Sequence, residues 1–135
     1  MKHIALLILG LFLALAASCA AIGNINHDQA RCLSVDEALA TIGTANGTEV
    51  SVCAWLRYEA EDKSLYNSAS DRWENSDDRC LSLGRAQGFT EDLGSLSGRR
   101  VRVTGVATAT FCPADAICQA SCSESGIFAR SIEPL

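Results

Sequence analysis

Seven cysteines carry most of the chemical potential of this 135-residue chain: Cys19, Cys32, Cys53, Cys80, Cys112, Cys118 and Cys122. Thiols at this density hold a metal, exchange electrons or crosslink the chain. A tetrahedral metal site draws four ligands from cysteine and histidine, and His27 is the only histidine beyond the leader. A dithiol redox centre wants C-x-x-C, and Cys118-Gln-Ala-Ser-Cys122 has one residue too many. Crosslinking is left. Cys32, Cys53, Cys80, Cys112, Cys118 and Cys122 form an even set that predicts three disulfides, with Cys19 as the odd thiol. The carboxylates offer less. Glu59, Glu61, Asp62, Asp71, Glu74, Asp77 and Asp78 have no D-x-D-x-D-G spacing for calcium, and Lys63, Arg72 and Arg79 interrupt them, so they read as a solvated surface. No pair of acids is singled out for glycoside hydrolysis. With one histidine in a tether, a Ser-His-Asp relay is not expected either. The expectation is a protein without catalytic residues, metal or cofactor.

The leader explains the odd thiol. Lys2 supplies positive charge, Ile4 to Leu15 form an apolar run broken only by Gly10, and Ala16-Ala17-Ser18 are small. This is the pattern of an export signal over residues 1–18. Ile4 to Ala17 falls short of the roughly 20 residues that span a bilayer. Cys19 follows directly, and Ala16-Ala17-Ser18-Cys19 resembles the lipobox of bacterial lipoproteins, with Ala16 where the usual pattern has leucine. The resemblance implies that Cys19 takes a diacylglycerol and becomes the first residue of the mature protein. Ala20, rather than aspartate, follows it, which in that family implies sorting to the outer membrane, facing the periplasm. The alternative is simple secretion, or a soluble periplasmic protein, with cleavage after Ser18 or Ala20.

Residues 19–31 then read as lipidated cysteine and tether, and 32–135 as one small domain. Ser34-Val-Asp-Glu37 is a capping box, and Val35, Ala38, Leu39 and Ile42 share one stripe of a helix that Gly43 is placed to end. After Asn46-Gly47 the period changes to two. Val50, Val52, Ala54, Leu56 and Tyr58 take one face of a first strand; Ser51, Cys53, Trp55 and Arg57 take the other. A polar hairpin from Glu59 to Lys63 leads to a short strand at Leu65-Tyr66, and a polar loop from Asn67 to Asp78 leads to a third at Cys80 to Leu83. A fourth strand runs from Arg99 to Thr110, with Val101 and Val103 inward and Arg100, Arg102 and Thr104 outward. A fifth runs from Gly126 to Ile132.

Three strands, an irregular connection and two more strands is the order of the OB-fold, a five-stranded barrel. Leu96-Ser-Gly98 with Val101-Arg-Val-Thr-Gly105 resembles the start of the fourth strand in such barrels. Val50-Ser-Val-Cys-Ala54 has the form of the first-strand motif, with Ala54 in place of glycine. The chain is similar over residues 48–132 to small bacterial periplasmic OB-fold proteins of stress-related or unknown role. The fold class expected is mainly β: a small five-stranded OB-fold-like barrel with an N-terminal helix and three disulfides. In such a barrel Cys53 and Cys80 lie on outward faces two strand spacings apart, roughly 9–10 Å, beyond disulfide reach. Their better partners are Cys32 and the cysteines of the last loop.

Sixteen acidic residues against eleven basic ones give a net charge of −5 and a pI near 4.9. That balance argues against a nucleic-acid partner, which is held by lysine and arginine patches. Trp55, Arg57, Arg100 and Arg102 form the candidate binding face. Tyr66 and Trp73 are further aromatic candidates, and the favoured reading buries Trp55 under the helix instead. The functional expectation is a non-catalytic envelope lipoprotein, held at the membrane by its lipid and binding an envelope protein, glycan or small ligand. The alternative is an inhibitor of an extracellular hydrolase, lysozyme or protease, using the loop from Cys112 to Cys122 as a wedge. A hydrolytic enzyme ranks last.

Overall fold

The computed structural model describes residues 31–60, 62–71, 79–118 and 122–135. The element order is α1 (Val35–Ala45), β1 (Glu49–Glu59), β2 (Asp62–Tyr66), β3 (Cys80–Arg85), β4 (Arg100–Thr108) and β5 (Gly126–Pro134). The five strands close into a barrel in the order β1-β2-β3-β5-β4. All pairs are antiparallel except β3 with β5, which is parallel. This is the OB-fold-like barrel that the strand order implied.

The alternation read from the sequence sets which side chains fill it. Val52, Ala54 and Leu56 of β1, Leu81 and Leu83 of β3, Val101 and Val103 of β4, and Ile127 and Ala129 of β5 point inward and are buried. β1 serves two neighbours in succession. Glu49 to Trp55 pair with β4, and Trp55 to Glu59 pair with β2, so the strand coils at Trp55. Ala54, 1% exposed, is small enough to sit inside that bend. Leu33 covers the free edge of the first half, donating its N–H to the Ser51 carbonyl and accepting from the Cys53 N–H, both at 2.8 Å. Between β4 and β5 the register shifts at Thr104/Gly105. A Cβ on Gly105 would stand 2.8 Å from the Ala129 Cα and closer still to the Phe128 carbonyl, so only glycine fits where these backbones meet.

Both barrel ends are plugged. At one end α1 inserts Val35, Ala38 and Ile42 into the core cluster. The capping box forms as expected: Ser34 Oγ accepts from the Glu37 N–H, and Glu37 accepts from the Ser34 N–H at 2.8 Å. The Ser34 amide is the main influence holding the Glu37 carboxyl below its ordinary pKa, with the Ser34 hydroxyl and Arg31 adding to it. The helix does not stop at Gly43. It runs to Ala45, because Gly43 does not take the positive φ that would end it, and stops at Asn46-Gly47, where Gly47 takes φ 79°. A cavity of about 10 Å³ among Ala38, Ile42, Val50, Val52 and Ile127 leaves room for about one water. At the other end the connection between β3 and β4 carries a single 3-10 turn, Gly94–Leu96, and places Leu93 in the core at 0% exposure. Tyr58 packs there beneath Arg85, which lies 5.3 Å from its ring centre and donates to its hydroxyl at 2.8 Å.

The disulfides are Cys32–Cys53, Cys80–Cys122 and Cys112–Cys118. Cys53 and Cys80 are not joined, in keeping with their two-strand separation.

Candidate functional site

The outer surface of the barrel divides into three zones, set by strand register. The first is the β1–β4–β5 face. Trp55 lies opposite Arg100, Cys53 opposite Arg102 and Ser51 opposite Thr104. On the far side Arg102 lies opposite Glu133 and Thr104 opposite Ser131. A shallow groove of about 350 Å³ runs here, lined by Glu49, Val50, Ser51, Arg102, Thr104 and Glu133. Ser51 and Thr104 hydroxyls meet across it at 3.3 Å. Glu49 is engaged by Arg130 at 2.7 Å. Among the described residues, Arg102 and Glu133 take part in no ion pair, although they are cross-strand neighbours. Arg102 Nε is buried and has no hydrogen-bond partner among the described residues. The groove therefore offers a cation, a carboxylate and two hydroxyls to whatever enters it.

The expected site residues separate on this surface. Trp55, Arg100 and Arg102 are brought together. Trp55 does not pack under α1: it is half-buried on the outward face and stands outside the core cluster that holds Val35, Ala38 and Ile42. Barrel closure explains the difference, because the helix stripe is buried in the barrel end rather than on its side. Arg57 belongs elsewhere. It bridges Asp62 at 3.1 Å and Glu59 at 3.4 Å. Burial works against its charge, but the Asp62 and Glu59 carboxylates outweigh it and hold its pKa above the ordinary arginine value.

The second zone is the outer face of β2 and β3, where OB-fold barrels bind oligonucleotides and oligosaccharides. Here this chain covers itself. Ser64, Tyr66, Cys80 and Ser82 all point outward by register, yet none is more than 6% exposed. Cys80–Cys122 pins the loop between β4 and β5 across the face. Ser82 Oγ accepts from the N–H groups of Cys122 and Ser123, both at 3.1 Å, and donates to the Ser123 carbonyl at 2.8 Å. Tyr66, an aromatic candidate from the sequence, is buried rather than displayed. It donates to Asp62 at 2.7 Å, and burial, with that bond, pushes its pKa up to about 12. Asp62, one of the scattered acids, is an internal acceptor for Arg57 and Tyr66. Asp71 accepts from the Ser68 N–H in a local turn.

The third zone is the parallel β3–β5 pair and the loop that follows β4. Phe111 and Phe128 stack with ring centres 5.1 Å apart. They lie over Gly84 and Gly126, where any side chain would collide with the rings. Beyond Phe111, Cys112–Cys118 closes a short loop whose turn is fixed by Ala116 N–H donating to the Pro113 carbonyl at 2.9 Å. At its end Ile117 is 94% exposed.

Sequence reasoning placed Ser51 and Thr104 outward but not in the site, and it missed Glu133, which lies beyond the expected end of the fifth strand. Ile117 and Phe128 were also missed, although strand alternation sets Phe128 outward. Cys19, His27, Glu61, Arg72, Trp73, Glu74, Asp77 and Asp78 lie outside the described residues, as do the export signal and the tether up to Ala30. Comparison with protein-family models, with curated proteins and with solved structures finds no match.

Proposed function

We propose that this protein is a non-catalytic binding module of the bacterial envelope that takes its ligand on the β1–β4–β5 face. One observation carries the reading. The outward residues of β2 and β3 are buried, with Cys122 and Ser123 held over Cys80 and Ser82, while the face beside them holds in a polar groove Arg102, which makes no ion pair among the described residues. A glycan or small ligand with an anionic group suits that groove: Arg102 supplies charge, Ser51 and Thr104 supply hydrogen bonds, and Trp55 with Arg100 extends the surface. The acidic balance of the chain disfavours nucleic acid.

The address is proposed on the same terms. Three disulfides suit an oxidising compartment, and the lipobox-like Cys19 suits anchorage in the outer membrane facing the periplasm. Intact mass of the protein from its host tests this. A mature chain beginning at Cys19 with acyl chains attached is expected. The same start without lipid would make the protein freely diffusing.

The face is tested by titrating soluble peptidoglycan fragments and envelope glycans against Arg102→Ala and Arg100→Ala. Binding should weaken roughly 10-fold or more for Arg102→Ala, the loss of one charge-assisted hydrogen bond. Arg57→Ala is the wrong probe, because it breaks the bridge to Asp62. Undiminished binding by Arg102→Ala would remove the face from consideration.

A second reading, inhibition of an extracellular hydrolase, is favoured by one specific feature: the exposed Ile117 on its disulfide-closed loop.

A further inference from the structure

The loop from Cys112 to Cys118 is built as a rigid projection. Its root is fixed, because Phe111 stacks on Phe128 above Gly84 and Gly126 and its N–H donates to the Glu124 carbonyl. Behind it, Ala109 N–H is held by Asn46 Oδ1 at 2.9 Å and Thr110 N–H by Thr108 Oγ1 at 3.2 Å. Its two ends are joined by the disulfide and its middle by the Pro113–Ala116 turn. Pro113, Ala114, Asp115, Ala116 and Ile117 are all exposed, and Ile117 at 94% makes almost no contact with its own protein. An isolated surface aliphatic needs no explanation on a flexible loop. Here the loop is pre-organised, so the ordering cost of presenting the side chain to a partner is already met.

We propose that this loop is a substrate-like plug for a serine-type peptidase with an aliphatic primary pocket, and that Ile117 is the side chain that fills it. The proposal rests on the second reading above and names its partner. A convex, rigid loop tipped by one branched aliphatic residue fits a concave pocket of matching size. Peptidases of the elastase type offer such a pocket, whereas trypsin-like pockets want a cation. A glycosidase cleft fits less well, because its two catalytic carboxylates would face Asp115. A membrane fits less well too. No lysine or arginine occurs from Ala109 to Ser125, and Asp115 and Glu124 are acidic. One isoleucine alone is a weak anchor.

The chemistry balances without a co-reactant. The peptidase serine oxygen adds to the Ile117 carbonyl carbon, and its proton passes to the peptidase base. The bond to the Cys118 nitrogen breaks, and the leaving amine takes that proton. Because Cys112–Cys118 keeps this amine beside the acyl carbon, it re-adds and expels the serine oxygen, and the proton the amine loses returns through the peptidase base to that oxygen. The peptide bond is restored and the loop remains bound.

The test uses the full mature chain with pancreatic elastase, trypsin and lysozyme at stoichiometric concentration. Inhibition of elastase alone is expected. Ile117→Ala should weaken it roughly 100-fold, and Ile117→Lys should transfer inhibition from elastase to trypsin. With Cys112→Ser and Cys118→Ser together, the loop should be cut as an ordinary substrate, seen by mass as cleavage after Ile117. Elastase inhibition unchanged by either Ile117 substitution would leave the inhibitor reading standing and overturn the assignment to this loop. Inhibition of lysozyme alone would overturn the peptidase assignment, and inhibition of none of the three would overturn the inhibitor reading with it. Ile117-dependent binding to vesicles of phosphatidylethanolamine and phosphatidylglycerol, without inhibition, would assign the loop to a membrane instead.

Discussion

Gly105 shows how one residue can decide whether this barrel closes. It sits where β4 and β5 shift register, and a Cβ there would collide with the backbone of Phe128 and Ala129. Gly105→Ala should therefore destabilise the protein by about 2–3 kcal/mol, read from urea denaturation with the disulfides intact. Tyr66 makes a prediction of a different kind. Its folded pKa of about 12 stands above the value near 10 expected when the chain is unfolded. The unfolded chain then releases this proton first. The resulting stability is complete below pH 10 and is lost as pH rises toward 12. Tyr66→Phe cannot titrate, so thermal melts between pH 9 and pH 12 should fall less steeply for the variant than for the parent. Equal slopes would mean that the Tyr66 hydroxyl is not shielded.

Among the elements, α1 and the three disulfides do different work. α1 is a plug, and Ile42→Ala should cost about 2–4 kcal/mol while leaving the strand order intact. The disulfides close loops of sequence separation 42, 21 and 6. In the chain-entropy account they contribute about 4, 3 and 2 kcal/mol. Paired Cys→Ser variants should lower the melting temperature in that order, Cys80/Cys122 most and Cys112/Cys118 least. A reversed order would mean that native packing, not chain entropy, governs. The strands were legible because each one buries a single face. Val101-x-Val103 and Val52-x-Ala54-x-Leu56 could be read straight off as inward. The capping box was equally plain, since it needs only Ser34 and Glu37 at the right spacing. Local pattern could not show what covers what. Nothing near Trp55 says that the helix stripe enters the barrel end. Nothing near Cys80 or Ser82 says that residues some forty positions later will be pinned over them by Cys122. The groove suffers the same limit: Arg102 was visible, but Glu133 joins it only through β4–β5 register. The end of α1 was misplaced for a simpler reason, two candidate glycines of which only Gly47 takes a positive φ.

Taken whole, the molecule is a small OB-fold-like barrel that has closed the surface such barrels use for ligands and left the adjacent one open. That asymmetry is the basis on which a binding role is proposed for β1, β4 and β5. Three or more potential metal ligands gather nowhere among the described residues. The central claim is best tested by a two-dimensional amide and indole NMR titration of the mature domain with soluble peptidoglycan fragments and envelope glycans. The account predicts saturable shifts at Ser51, the Trp55 indole, Arg102 and Thr104, with the ligand unchanged afterwards and the shifts lost in Arg102→Ala. No shifts, shifts confined to β2 and β3, or conversion of the ligand during the titration would contradict it.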